Sequence, residues 1–198
     1  MRRSAVSLAL LAVLASACSS PEAGSPVPEG DQGEPTTGAP TTTASSATAE
    51  PLPERPEALP IDAVNPCDLI TDAQRAELKV VRARETKEDT EAECALTVET
   101  DSRNIDVRIV SDTREGVDAW LKGDRNVDAE VATIEGYGAA RFWLKGTKGS
   151  DCSTAIDVAD GQNLQVGLLI PGQQWTREKL CETTDRFAAA ALATLRVG

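Results

Sequence analysis

The sequence predicts an α+β domain: a single antiparallel sheet of about five strands with helices on one face, stapled by two disulfides. Three observations predict it. Between residues 61 and 198 the helical period of 3.6 appears at both ends and once in the middle, and the intervening stretches alternate apolar and polar residues. Asp160-Gly161 has the composition of a hairpin turn, which returns a strand antiparallel to its neighbour. Four cysteines, Cys67, Cys94, Cys152 and Cys181, fall within the same stretch. An even number in an exported chain implies a disulfide framework.

Export is read from the first residues. Arg2 and Arg3 give a positive start, Ala5 to Val13 is apolar apart from Ser7, and Ala15-Ser16-Ala17 is a run of small residues. That is the build of a secretory signal peptide over residues 1–17. Its apolar run falls short of the roughly 20 residues that span a bilayer. Cys18 follows the small triplet directly, and Leu14-Ala15-Ser16-Ala17-Cys18 resembles the lipobox of bacterial lipoproteins. It departs from that pattern at Ala15, where leucine is most common. The resemblance implies a diacylglyceryl group on the Cys18 thiol, often an acyl group on its amine, and so an anchor on the outer face of the cell membrane. Two or more chains, at about 0.8 kcal/mol per buried methylene, hold a protein there stably.

From Cys18 to Pro60 the chain is rich in Pro, Thr, Ser, Ala and Gly and lacks aromatic residues. Such a stretch buries too little surface to offset its ordering entropy, so it reads as a disordered tether. About 40 flexible residues reach on the order of 35 Å. The Thr36-Thr37 and Thr41-Thr42-Thr43 clusters near prolines also resemble glycosylated stalks.

Within residues 61–198 the elements follow in order. Thr71 and Gln74 form a capping box before a short helix over 72–79. Residues 84–93 are polar and mostly acidic and read as a solvated loop. Cys94, Leu96 and Val98 make one apolar strand face, and Ile105, Val107 and Ile109 the next. A helix is expected over 113–122, with Val117, Trp120 and Leu121 inward. Ala139 to Lys145 reads as a strand. Cys152, Thr154, Ile156 and Val158 define another, and Leu164, Val166, Leu168 and Ile170 a last one, ended by Pro171-Gly172. Residues 176–195 form the longest helix, with Leu180, Phe187, Ala191 and Leu195 on one stripe. Four cysteines allow three connectivities. The shortest loops pair Cys67 with Cys94 and Cys152 with Cys181, each tying a helical segment to a core-facing strand position. No CxxC spacing supports a redox or metal-thiolate site.

Asn65-Pro66-Cys67-Asp68-Leu69-Ile70-Thr71 resembles the opening of a family of actinobacterial lipoproteins classed as a domain of unknown function. Gly136-Tyr137-Gly138-Ala139-Ala140 is similar to that family's Gly-x-Gly-x-Ala start of a central strand, and the lipobox and cysteine order agree. The similarity spans about residues 63–196. It implies an envelope-anchored, disulfide-bonded α+β domain and transfers no catalytic residue.

Composition excludes several chemistries. The chain has no histidine, so histidine-based general base catalysis, Ser-His-Asp and Cys-His systems and histidine-liganded zinc are ruled out. The net charge is −12, and removing the leader with its two arginines makes it more negative. Nucleic acid is therefore an unfavourable partner. Asp124, Asn126, Asp128 and Glu135 have EF-hand calcium spacing, but Ala129 stands where the loop needs glycine and no exit helix follows. That segment reads instead as a polar loop before a strand. Lys145, Lys148 and the glycines around them form a basic turn on an acidic domain, read as a solvated turn with contact to an anionic wall polymer as the alternative. Trp143 and Trp175 are the candidate sugar-stacking rings.

The expected function is a non-enzymatic binding or accessory module, with no cofactor, acting at the cell envelope on a protein, lipid or wall polymer. The alternatives are a structural subunit of an envelope complex and a carboxylate-based glycan hydrolase. The hydrolase needs two acidic residues converging in a cleft, one with a raised pKa. A two-lobed solute-binding protein would need a longer chain.

Overall fold

The structure is a computed structural model that describes residues 51–198 apart from 89–90, 148, 171 and 173–174. The leader, Cys18 and the tether up to residue 50 lie outside the described residues, as do Lys148 and Pro171. The sheet is antiparallel throughout but has seven strands rather than five: β1 (Val80–Glu88), β2 (Glu91–Glu99), β3 (Asn104–Asp112), β4 (Val127–Ile134), β5 (Tyr137–Leu144), β6 (Asp151–Ala159) and β7 (Gln162–Leu169). Their spatial order is β1-β2-β3-β7-β6-β5-β4.

The two additional strands are the edges. Residues 84–88 and 91–93, read as loop, belong to strands β1 and β2, where Glu85 pairs with Cys94 and Thr86 with Glu93. The segment before Tyr137, read as a polar loop, is β4, pairing from Val127↔Leu144 to Ile134↔Tyr137. An edge strand meets solvent along one side and can carry polar and charged residues there. Its sequence thereby loses the apolar alternation that marks an interior strand.

One face of the sheet carries the main core. Leu96, Val107, Ile109, Ile156, Leu164 and Val166 are fully buried there. They pack against Leu180, Phe187, Ala188, Ala191 and Leu192 of the long helix α3 (Arg177–Leu195), whose first turn is capped by Thr176. Leu180, Ala188, Ala191 and Leu192 of this stripe are all 0 % exposed. The Asn65–Thr71 motif folds as one unit on the same face. The Asn65 side chain accepts from the Cys67 amide at 2.9 Å, opening a short 3-10 turn (Pro66–Leu69). Thr71 then caps α1 (Asp72–Glu77) by the expected box with Gln74. Gln74 reaches the Ala190 carbonyl at 2.8 Å and thereby joins α1 to α3. Both disulfides take the expected pairing, Cys67–Cys94 and Cys152–Cys181.

The helix expected over 113–122 shrinks to one turn, α2 (Asp118–Leu121). It also lies on the opposite face, so the helices are not confined to one side. Val117, Trp120 and Leu121 pack there with Val127, Ala140, Phe142 and Ala155 in a second, smaller core. Their apolar spacing specifies burial without specifying which face of the sheet supplies the partner.

The last ten residues of the expected tether, 51–60, lie against the domain. Leu52 packs into the second core beside Gly138, where a Cβ would come within 3.2 Å of Leu52. Arg55 pairs with Asp157 at 3.1 Å and with Asp160. The Leu59 amide donates to the Val158 carbonyl at 2.7 Å. The chain therefore reaches the sheet on the face opposite α3 and rounds its end to bury Ile61 in the main core.

Candidate functional site

Among the described residues, α2 and residues 51–60 cover one end of the face opposite α3. Strand alternation sends Val110 of β3, Gln165, Gly167 and Leu169 of β7, Ser153 of β6 and Phe142 and Leu144 of β5 to this face. The centre carries small residues. Gly167 has no side chain, and a Cβ there would meet Ser153 Oγ at 3.1 Å. Larger residues stand around this hollow and leave a groove of about 640 Å³. Leu144 and Leu169, the last residues of β5 and β7, line it and are 46 % and 59 % exposed.

One end of the groove is a built aromatic wall. Trp120 and Phe142 stack with ring centroids 3.8 Å apart and planes 7° from parallel. Arg125 lies over the Trp120 ring at 4.2 Å, a cation–π contact. Trp120 Nε1 is buried and has no hydrogen-bond partner among the described residues. The far rim is polar: Arg108 pairs with Glu93 at 3.6 Å, and Thr97 donates to Asp106 at 3.0 Å. Asp151 accepts from the Leu144 amide at 2.8 Å and from Thr147 Oγ1 at 2.6 Å, which fixes the β5–β6 turn at the groove's edge. An apolar floor, a fixed aromatic end and a charged rim suit a ligand with an apolar portion and a polar remainder.

The residues singled out in the sequence are dispersed. Cys67, Cys94, Cys152 and Cys181 are consumed by the two bridges. Asp124 and Asn126 precede β4, Asp128 is its second residue, and Glu135 lies in the turn beyond its far end. At roughly 3.3 Å per residue, Asp128 and Glu135 stand about 23 Å apart along the strand, so they make no calcium site. Among the described residues no metal-holding cluster forms. Glu135 and Gly136, at φ 49° and 89°, form a two-residue hairpin turn with both centres left-handed; this is the role of the Gly136 motif. Trp143 and Trp175 do not form a common platform. Trp143 projects to the α3 face with Arg177 over its ring at 4.3 Å, and Trp175 is covered by Lys179 at 4.5 Å. Lys145 Nζ donates to the Arg125 carbonyl at 3.3 Å. The stack of Trp120 on Phe142 has no sequence signal, because it joins α2 to β5 across 22 positions of chain.

One carboxylate pair does converge. Ala92 pairs with Ser111, so Glu91 and Asp112 end adjacent strands, and both are buried. Arg114 bridges them, its Nε 2.6 Å from Glu91 and 3.7 Å from Asp112. Burial raises the Glu91 carboxyl above its ordinary 4.5; the Asp112 carboxylate adds to this and Arg114 opposes it. Neither acid lines the groove. A raised carboxyl favours the fold when protonated, and that contribution is lost as pH climbs from 4.5 through the raised value. The stability difference between native protein and Glu91→Gln should therefore fall over that window and then level off. Urea unfolding of both proteins from pH 4 to pH 8 checks this, and a difference that rises with pH would contradict it.

The sequence matches a family model described as a protein of unknown function, DUF3558, over residues 13–194. No curated protein matches, and no solved structure does.

Proposed function

We propose that this chain, which belongs to the DUF3558 family, is an exported, lipid-anchored binding module without catalytic activity, and that it holds its ligand in the groove opposite α3. The observation that carries this reading is the groove itself: exposed Leu144 and Leu169 beside a rigid Trp120–Phe142 wall. Exposed leucines on a sheet face cost solubility unless something covers them. The two disulfides fit an oxidising compartment outside the cytoplasm. The leader and Cys18 supply the route and the anchor, and the chain meets the domain on the groove's own face, at Leu52. An accessory subunit of an envelope complex would use the same surface with a protein segment as ligand.

Photo-crosslinking in intact cells tests the reading. A crosslinking residue at Leu169 should capture a discrete product, and the same residue at exposed Val81 on β1 should not. Phe142→Ala in the Leu169 background should reduce the yield at least several-fold. Equal capture from both positions would sink the groove as the ligand site.

A further inference from the structure

The sheet ends in two unlike edges. β1 is interrupted by a register shift between Val80 and Arg82, and irregular edges resist further pairing. β4 pairs with β5 over eight residues without a break, and among the described residues no strand lies on its outer side. Alternate residues of an edge strand direct their N–H and C=O groups outward. β4 therefore offers a regular row of backbone donors and acceptors.

A cleft of about 890 Å³ runs beside this edge on the α3 face, walled by the polar stripe of α3 and by β4 and β5. A strand added to β4 would send every second side chain toward it. The charges there are unequal in their commitments. Arg141 is held by Asp185, with Nε–Oδ2 at 2.9 Å, and by Glu130 at 3.5 Å. Arg177 stacks on Trp143. Glu135 and Glu182 line the cleft, Asp128 lies on the edge, and none of the three forms an ion pair among the described residues. Arg177 and Arg186 are the lining cations outside an ion pair, and Glu178 is a further such acid, so the available charge is still net acidic.

We infer that β4 is a docking strand for an extended segment of a partner protein that carries lysine or arginine at alternate positions. The segment hydrogen-bonds the β4 backbone, and its cationic side chains meet Asp128, Glu135 and Glu182. This surface is independent of the groove, which lies on the opposite face.

The test uses the full domain with its disulfides intact and an octapeptide alternating lysine with threonine. Amide hydrogen exchange, read by NMR, should show added protection at the outward amides of β4 and none at β1. N-methylating alternate peptide amides should abolish that protection. The triple variant Asp128→Asn, Glu135→Gln, Glu182→Gln replaces side chains outside the core and should weaken binding at least tenfold at low salt. Three results would overturn the proposal: no protection of β4 at millimolar peptide, binding indifferent to N-methylation, or β4 protected without peptide in a concentration-dependent way, which would mark it as a self-association edge.

Discussion

Replacing Cys152 and Cys181 together by alanine should cost about 3–4 kcal/mol of stability. The bridge closes a loop between residues 29 apart in sequence. Loops of that size restrict the unfolded chain by roughly this amount in the chain-entropy model. The native state loses something as well. Cys152 is fully buried on β6 and Cys181 faces it from α3, so the bridge is the covalent link between the long helix and the centre of the sheet. The same contact is supported by a polar network. Thr154 of β6 donates to Asp185 at 2.8 Å and lies 3.0 Å from Thr184, and Arg141 clamps Asp185 from β5. That network keeps α3 docked in the variant, so unfolding should remain cooperative, with a melting temperature lower by roughly 10 °C. Urea denaturation of oxidised native protein and the variant measures the difference. A loss below about 1 kcal/mol would mean that the polar network and the apolar stripe hold the helix without the bridge.

Cys18→Ala should move the protein almost entirely from the detergent phase to the aqueous phase in a phase-partitioning assay on whole cells. The expectation rests on the small-residue triplet before Cys18 and on the absence of another anchor: among the described residues no helix is long and apolar enough to cross a membrane. Two acyl chains bind stably where one binds only marginally, at about 0.8 kcal/mol per buried methylene, so removing their attachment point should leave no comparable affinity. The domain itself is acidic, with a net charge of −12 for the whole chain, and is repelled by anionic headgroups. Retention of the variant in the detergent phase would assign the membrane contact to another part of the chain, the exposed Leu144 and Leu169 first among them.

Much of the fold was legible in the residues because burial dictates local pattern. The interior strands β2, β3, β6 and β7 must alternate to fill the space under α3, and Leu96, Val107, Ile156 and Leu164 show it directly. The disulfide pairing was legible from loop length, with Cys94 and Cys152 in the apolar phase of their strands, and the bridges are Cys67–Cys94 and Cys152–Cys181. The two edge strands were hidden. Arg84 and Glu85 in β1, and Asp128 and Glu130 in β4, read as loop because an edge is stabilised from one side and left polar on the other. Apparent motifs failed where the fold stretched them, as with the calcium-like acids laid out along β4.

The sequence by itself determined the interior strands and the cysteine partners. Each is a property of one residue or of a short period in the chain. Only the tertiary structure decided which face α2 occupies, that residues 51–60 lie on the domain, and that Phe142, Ser153, Gly167 and Trp120 border one groove. These are relations between residues distant in sequence. They depend on strand order, and a short-range pattern cannot encode strand order when α2 and the strands can bury the same apolar residues on either face of a sheet.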